Sequence, residues 1–128
     1  MLTLAINTAS PKIEIALLKG KSRIAGNSWE SHTDETQKLL PAISLMLKKT
    51  QRTFEDIDRL LVHPGPGSFS ALRIGVTVAN TLRYALGIPM YTMQPPSVGE
   101  YRIKRLRLKK VKIVAPKYSL PPKITMKI

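Results

Sequence analysis

Cysteine is absent from the 128 residues, which excludes disulfides, thiol nucleophiles and thiolate metal sites. No apolar run approaches the roughly 18 residues needed to span a bilayer. Met1 to Thr8 has no basic region ahead of a long apolar stretch, so it does not read as a signal peptide. These absences fit a cytoplasmic protein without a membrane partner. Histidine is nearly absent too: His32 and His63 stand alone, at a spacing that matches no zinc motif. Paired carboxylates are lacking. Glu14, Glu30, Asp34, Glu35, Glu55, Asp56 and Asp58 all fall in expected turns, helix starts or outer strand faces. Neither a resident metal nor any other cofactor is expected.

Basic charge is what the chain has in excess, and unevenly. Residues 1–99 carry 11 Lys/Arg against 7 Asp/Glu, a net +4. Residues 100–128 carry 10 Lys/Arg against Glu100 alone, a net +9. A tail of this kind attracts phosphates or acidic surfaces. Arg102, Lys104, Arg105, Arg107, Lys109, Lys110 and Lys112 are its candidate RNA contacts, while a solvated tail that only aids solubility is the plainer alternative.

The remaining 43% apolar content suffices for one core. Leu2, Leu4 and Ile6 alternate with Thr3, Ala5 and Asn7, which predicts a strand whose second face is also partly buried. Ile13, Ile15 and Leu17 predict a second strand beyond Ala9-Ser10-Pro11. Ser22 to Glu30 predicts a third beyond Lys19-Gly20-Lys21, completing an antiparallel meander. Leu39, Leu40, Ile43, Met46 and Leu47 recur at helical spacing. Ser31 or Thr33 serves as cap, Lys48 and Lys49 close the helix, and Pro41 predicts a kink near Gln37. Leu60 to His63 reads as a short strand, Phe69 to Leu86 as a second helix ended by Gly87, and Ile88 to Met93 as a returning strand. Ser97 to Arg102 reads as the start of a third helix, and Arg102 to Lys112 as either a lysine-blunted edge strand or a basic amphipathic segment.

Three antiparallel strands, helix, strand, helix, strand is a ribonuclease-H-like arrangement, one lobe of the actin-like ATPase architecture. The expectation is therefore an α/β lobe over residues 1–99, with a mixed five-stranded sheet and two main helices, and a basic C-terminal tail over 100–128, holding an edge strand and an extended peptide.

Gly65-Pro66-Gly67-Ser68 opens the second helix and so suggests a phosphate cradle. Against this, no Lys follows at P-loop spacing, and Pro64 and Pro66 have no N–H to donate. A stiff loop that aims the helix is the stronger reading. Asn7 stands where this architecture places a metal-binding Asp, and Ser10 has no His or carboxylate to activate it. No catalytic residue is assigned. What remains is surface: Thr36, Leu40, Ile43 and Leu47 form a stripe on the first helix. Ser70, Ala71, Ile74, Gly75, Val78 and Leu82 form one on the second, where small Ala71 and Gly75 would admit another helix. These ten residues are the candidate partner interface.

Ala5-Ile6-Asn7-Thr8-Ala9, His32 with Leu39-Leu40-Pro41, and the run Gly65-Pro66-Gly67-Ser68-Phe69-Ser70-Ala71-Leu72-Arg73-Ile74-Gly75 resemble the TsaB (YeaZ) family over residues 1 to about 95. Pro116, Tyr118, Pro121, Pro122 and Thr125 carry a weaker likeness to the family's C-terminal peptide. The family serves threonylcarbamoylation of adenosine 37 in tRNA. The resemblance implies a non-catalytic dimerisation subunit that pairs with a TsaD-like catalytic subunit through its two helices. It also implies a TsaE-like ATPase docking near that junction, and self-pairing into a homodimer through the same surface. Family members carry a second lobe after about position 95, of which almost nothing is present, so an actin-type nucleotide cleft has only one wall. An RNA-binding accessory protein acting through the basic tail is the alternative function. A small nucleotide-dependent phosphotransferase or hydrolase is disfavoured by Asn7 and the single lobe.

Overall fold

The computed structural model describes residues 1–31, 35–66, 69–93 and 108–112. Its elements are β1 (Leu2–Asn7), β2 (Lys12–Lys19), β3 (Ser22–Glu30), α1 (Glu35–Lys49), a 3-10 turn (Phe54–Asp56), β4 (Arg59–Val62), α2 (Phe69–Leu86), β5 (Met90–Met93) and β6 (Leu108–Val111). The six strands form one sheet in the order β3-β2-β1-β4-β5-β6. β1, β2 and β3 pair antiparallel, β1, β4 and β5 pair parallel, and β6 returns antiparallel to β5.

The α/β reading and the element order stand, but the sheet has six strands rather than five. The sixth comes from the basic segment, where Leu108 pairs with Met93 and Val111 with Met90. It extends the lobe's own sheet beyond residue 99. Four residues of which two are lysines leave too little apolar alternation to decide between strand and amphipathic segment, and pairing with the β5 edge decides it. The caps at Ser31 and Thr33, the third helix from Ser97 and the C-terminal peptide involve residues outside those described.

β1 is buried at all six positions. Leu2, Leu4 and Ile6 face α1 and α2 together with Ile13, Ile15, Leu17, Leu60, Val62 and Met90. Ala5 belongs to a smaller cluster on the second face with Ala16, Leu18 and Leu61, against which Tyr91 packs. There Arg59 donates from Nε to Thr3 Oγ1 (2.7 Å) and lies 5.6 Å from the Tyr91 ring centre. At the start of β1, Leu2 N–H donates to the Asp58 carboxylate (2.7 Å) and Asp58 N–H to Leu2 carbonyl (2.8 Å), clamping the N-terminus to the lead-in of β4.

Both helix ends use backbone devices. After α1, Gln51 adopts a left-handed φ of 58°, its N–H donates to Lys48 carbonyl (3.0 Å) and Arg52 N–H to Leu47 carbonyl (2.9 Å), a Schellman closure without glycine. After α2, Gly87 takes φ 63° and its N–H donates to Arg83 carbonyl (3.0 Å). Pro41 lies on the exposed side of α1, where its missing N–H leaves no polar group stranded in the core.

Candidate partner-binding ridge on the two helices

α1 and α2 pack on the same sheet face and touch each other. That arrangement consumes much of the apolar stripes. Ile43 (0% exposed), Leu47 (1%), Ala71 (2%) and Leu82 (9%) lie in the domain's own core, and Gly75 is buried with them. In this lobe these five pack inward rather than at its surface. The wide apolar arc of α2 is used twice, against the sheet and against α1. Gly75 does serve a close approach, but to Thr8 of the β1–β2 connection: a Cβ there would run into the Thr8 hydroxyl.

The rest of the set stays at the surface. Leu40 is 45% exposed, Ser70 is exposed, and Ile74 and Val78 are half-buried at the edge of the core. The side chain of Thr36 is outside the description. Sequence reading missed two exposed apolar groups, Tyr84 (86%) on α2 and Leu45 (51%) on α1. Leu45 turns toward β3, where it lines a shallow cavity of about 200 Å³ with Ala25, Gly26 and Asn27. Tyr84 falls among Arg73, Thr77 and Thr81 on the polar side of α2, so hydrophobic periodicity gave no signal for it.

In parallel sheets, ligands gather at the carboxyl ends of the strands. Here those ends carry Asn7, Thr8 and His63, all buried. The Asn7 amide and one ring nitrogen of His63 are spent on local turns. Asn7 Oδ1 accepts from Ala9 N–H (2.9 Å), Asn7 Nδ2 reaches Ser10 Oγ (3.4 Å), and Ser10 Oγ donates to Lys12 carbonyl (2.7 Å). Asn7 thus fixes the β1–β2 turn. His63 Nδ1 accepts from Gly65 N–H (3.1 Å), which occupies a donor that a phosphate would need. Gly67 and Ser68 lie outside the described residues, as does His32. Among the described residues, no three His, Cys, Asp or Glu side chains come together. Of the candidate RNA contacts, Lys110 and Lys112 are exposed at β6 and Lys109 lies in that strand. Arg102, Lys104, Arg105 and Arg107 are outside the description.

Burial lowers the His63 pKa from its ordinary 6.5 by desolvating the imidazolium. Protonation would also turn Nδ1 into a donor facing the Gly65 N–H. The folded protein therefore binds this proton less readily than the unfolded chain. His63 costs no stability well above pH 6.5 and destabilises progressively as pH falls below it, levelling off under the depressed value. Thermal melts between pH 8 and 5 should show the midpoint falling on the acid side, and His63→Gln should remove that component of the slope.

The topology defines a ribonuclease-H-like, actin-like α/β lobe. The structure of YeaZ from Pseudomonas aeruginosa superposes with a TM-score of 0.66 at 25% identity, covering 72% of this chain and 44% of that one. A family model described as tRNA N6-adenosine threonylcarbamoyltransferase, TsaD, matches residues 30–94. The tRNA threonylcarbamoyladenosine biosynthesis protein TsaB of Bacillus subtilis is 34% identical over 90 residues, 70% of this chain and 39% of that protein. TsaB of Buchnera aphidicola subsp. Schizaphis graminum is 30% identical over 112 residues, 88% of this chain and 53% of that protein. The chain belongs to the TsaB (YeaZ) family and spans about half or less of the length of these relatives.

Proposed function

We propose that this chain is a non-catalytic scaffold subunit in threonylcarbamoylation of adenosine 37 in tRNA, which binds and activates a TsaD-type catalytic subunit through the outer ridge of α1 and α2. The observation that carries the reading is the exposed Leu40 on one helix and the half-buried Ile74 and Val78 on its neighbour, apolar groups that the domain's own sheet leaves incompletely covered. The relatives' names point to the pathway, and the match to the TsaD family model supports a link to that enzyme. The bonding of Asn7 into a turn supports a role without metal chemistry at β1.

An interface of standard size covers roughly 800 Å² per partner, and full burial of one leucine there contributes about 1.5–3 kcal/mol. Leu40→Asp should therefore weaken binding to the host's TsaD-type subunit by at least about tenfold while the circular dichroism melt stays within a few degrees of wild type. Titration calorimetry checks it, and unchanged affinity in a folded variant removes the ridge from the proposal. Ile74→Asp is the second probe, with its melt recorded because Ile74 also packs on the core. Docking of a TsaE-type ATPase near the same junction belongs to this reading.

A second reading, RNA contact through the basic segment, is favoured by the exposure of Lys110 on an edge strand and of Lys112 just beyond it. Multi-phosphate binding would weaken by about 10³ or more between 50 and 200 mM salt. RNA binding that is equally weak and salt-insensitive with and without the tail would dismiss it.

A further inference from the structure

β3 is the last strand of the sheet, and among the described residues nothing pairs with its outer edge. α1 lies against it and leaves an open groove between helix and strand. At one end, Ala25 and Asn27 face Leu45 and Lys49 across the cavity of about 200 Å³. At the other, Asn27 and Trp29 face Lys38 and Ala42 across a second cavity, of about 230 Å³. The helix therefore runs antiparallel to the strand, with Lys38 beside Trp29 and Lys49 near Ala25. The wall is apolar and partly bare: Leu45 is 51% exposed. The buried Trp29 indole N–H meets no acceptor among the described residues, a state in which buried donors are seldom left. Lys38 and Lys49 are exposed, about three helical turns or roughly 16 Å apart. No described residue lining either cavity is acidic. Glu14 and Glu30 belong to the opposite face of the sheet, in register with Ser28 and Lys12.

We propose that this groove takes an extended acidic segment of a partner protein, which adds a strand beside β3 and lays every second side chain along α1. The main chain of β3 is set for it. Ser31 N–H donates to Pro11 carbonyl (3.1 Å), so residues 31, 29, 27 and 25 direct their amides toward β2, and Gly26, Ser28 and Glu30 direct theirs outward. The side chains of α1 set the preferred sequence. An apolar residue of the added strand covers Ala42 and Leu45, and an acid two positions to either side meets Lys38 and Lys49. Acids so spaced stand about 13 Å apart along a strand, and the length of the lysine side chains spans the remainder. Charge also selects the occupant. The chain's own segment 113–128 carries Lys117, Lys123 and Lys127 and no acid, so the groove's lysines repel it. The net charge of +13 steers an acidic segment toward this protein.

The edge is also partly guarded. Ser28 N–H, which points outward, is held by the Asn27 side-chain oxygen (2.9 Å). A carbonyl of the incoming strand has to displace that oxygen, which limits indiscriminate pairing along the edge. The groove uses the side of α1 that faces β3, and neither Leu40 nor α2 lines it. It is therefore independent of the ridge proposed to bind a TsaD-type subunit.

Trp29 is the chain's one tryptophan, so its emission reports filling of the groove. Titrating the full chain with the capped peptide Thr-Glu-Thr-Leu-Thr-Glu-Thr, followed by Trp29 emission and by calorimetry, tests this. Saturable binding is expected, and an isomer with its two Glu adjacent should bind at least about tenfold more weakly. Leu45→Asp alters a half-exposed position, so the fold should tolerate it, and it should weaken binding by about tenfold or more. Lys49→Glu should weaken it as well, and a peptide with Lys in place of one Glu should recover affinity for that variant. Ser28→Pro removes one outward N–H and leaves the β2 ladder intact, a substitution edge strands accept; it should abolish binding. Leu40→Asp should leave binding unchanged. Absence of saturable binding overturns the proposal, as does equal binding of the isomer or of a folded Ser28→Pro variant. Trp29 emission that changes with protein concentration alone would assign the edge to a second copy and overturn it too.

Discussion

Ile43→Asp is expected to leave no stably folded protein, although it sits one turn from Leu40, where the same replacement is expected to be tolerated. Ile43 is fully buried in the main cluster, between α1 and the sheet. The substitution removes an aliphatic side chain, which alone costs about 2–5 kcal/mol in a core. It also places a carboxylate inside that apolar cluster, and desolvation adds several kcal/mol more. Together these approach or exceed the 5–15 kcal/mol of a typical domain. Expression with far-ultraviolet circular dichroism and a urea titration checks it, and a cooperative transition near the wild-type midpoint would contradict the assignment of Ile43 to the core. The contrast carries the functional argument, because loss of partner binding in Ile43→Asp would report unfolding, whereas in Leu40→Asp it reports an interface.

Gly75→Ala should also be costly for a single methyl group. The added Cβ meets not a flexible chain end but the branched side chain of Thr8, itself buried and fixed at the β1–β2 turn. Relief requires α2 to move off the sheet or the turn to open, and overpacking of this kind typically costs about 1–3 kcal/mol; Gly75→Val should exceed that. Helix propensity works the other way, since alanine in an exposed helix interior gains roughly 1 kcal/mol over glycine. Net destabilisation would therefore show that the contact outweighs propensity. Thr8→Gly combined with Gly75→Ala should be less damaging than the sum of the two single changes, because they share one contact.

Most of the sheet and both helices were legible because those elements carry their own period. Leu2-Leu4-Ile6 and Ile13-Ile15-Leu17 alternate, and Leu39-Ile43-Met46-Leu47 recurs at helical spacing, which chain-local chemistry suffices to produce. Which helix residues stay at the surface was only half legible. Periodicity identifies which residues are apolar on a helix but not how many neighbours the helix has. Ile43, Leu47, Ala71, Gly75 and Leu82 went inward because α1 and α2 share a face, a fact of topology rather than of spacing. Gly75 illustrates the limit well. A small residue announces a close approach, while the identity of the approaching group, here Thr8, is set by a turn 67 positions away. β6 was ambiguous for the opposite reason, since its lysines mask a strand that exists through pairing with β5.

The first strand has an unusual place in the order of events when the chain is made. Of the six strands β1 is synthesised first, yet one of its two neighbours, β4, follows more than fifty residues behind. Until Arg59–Val62 has been synthesised, the hairpin partner β2 can satisfy only one flank of β1, and Leu4 and Ile6 have no helices to cover them. A nascent chain must therefore carry its most water-averse strand half-clothed through the whole synthesis of β3 and α1. The interval closes only when a contact distant in sequence is made, and over that stretch a chaperone would find its natural grip.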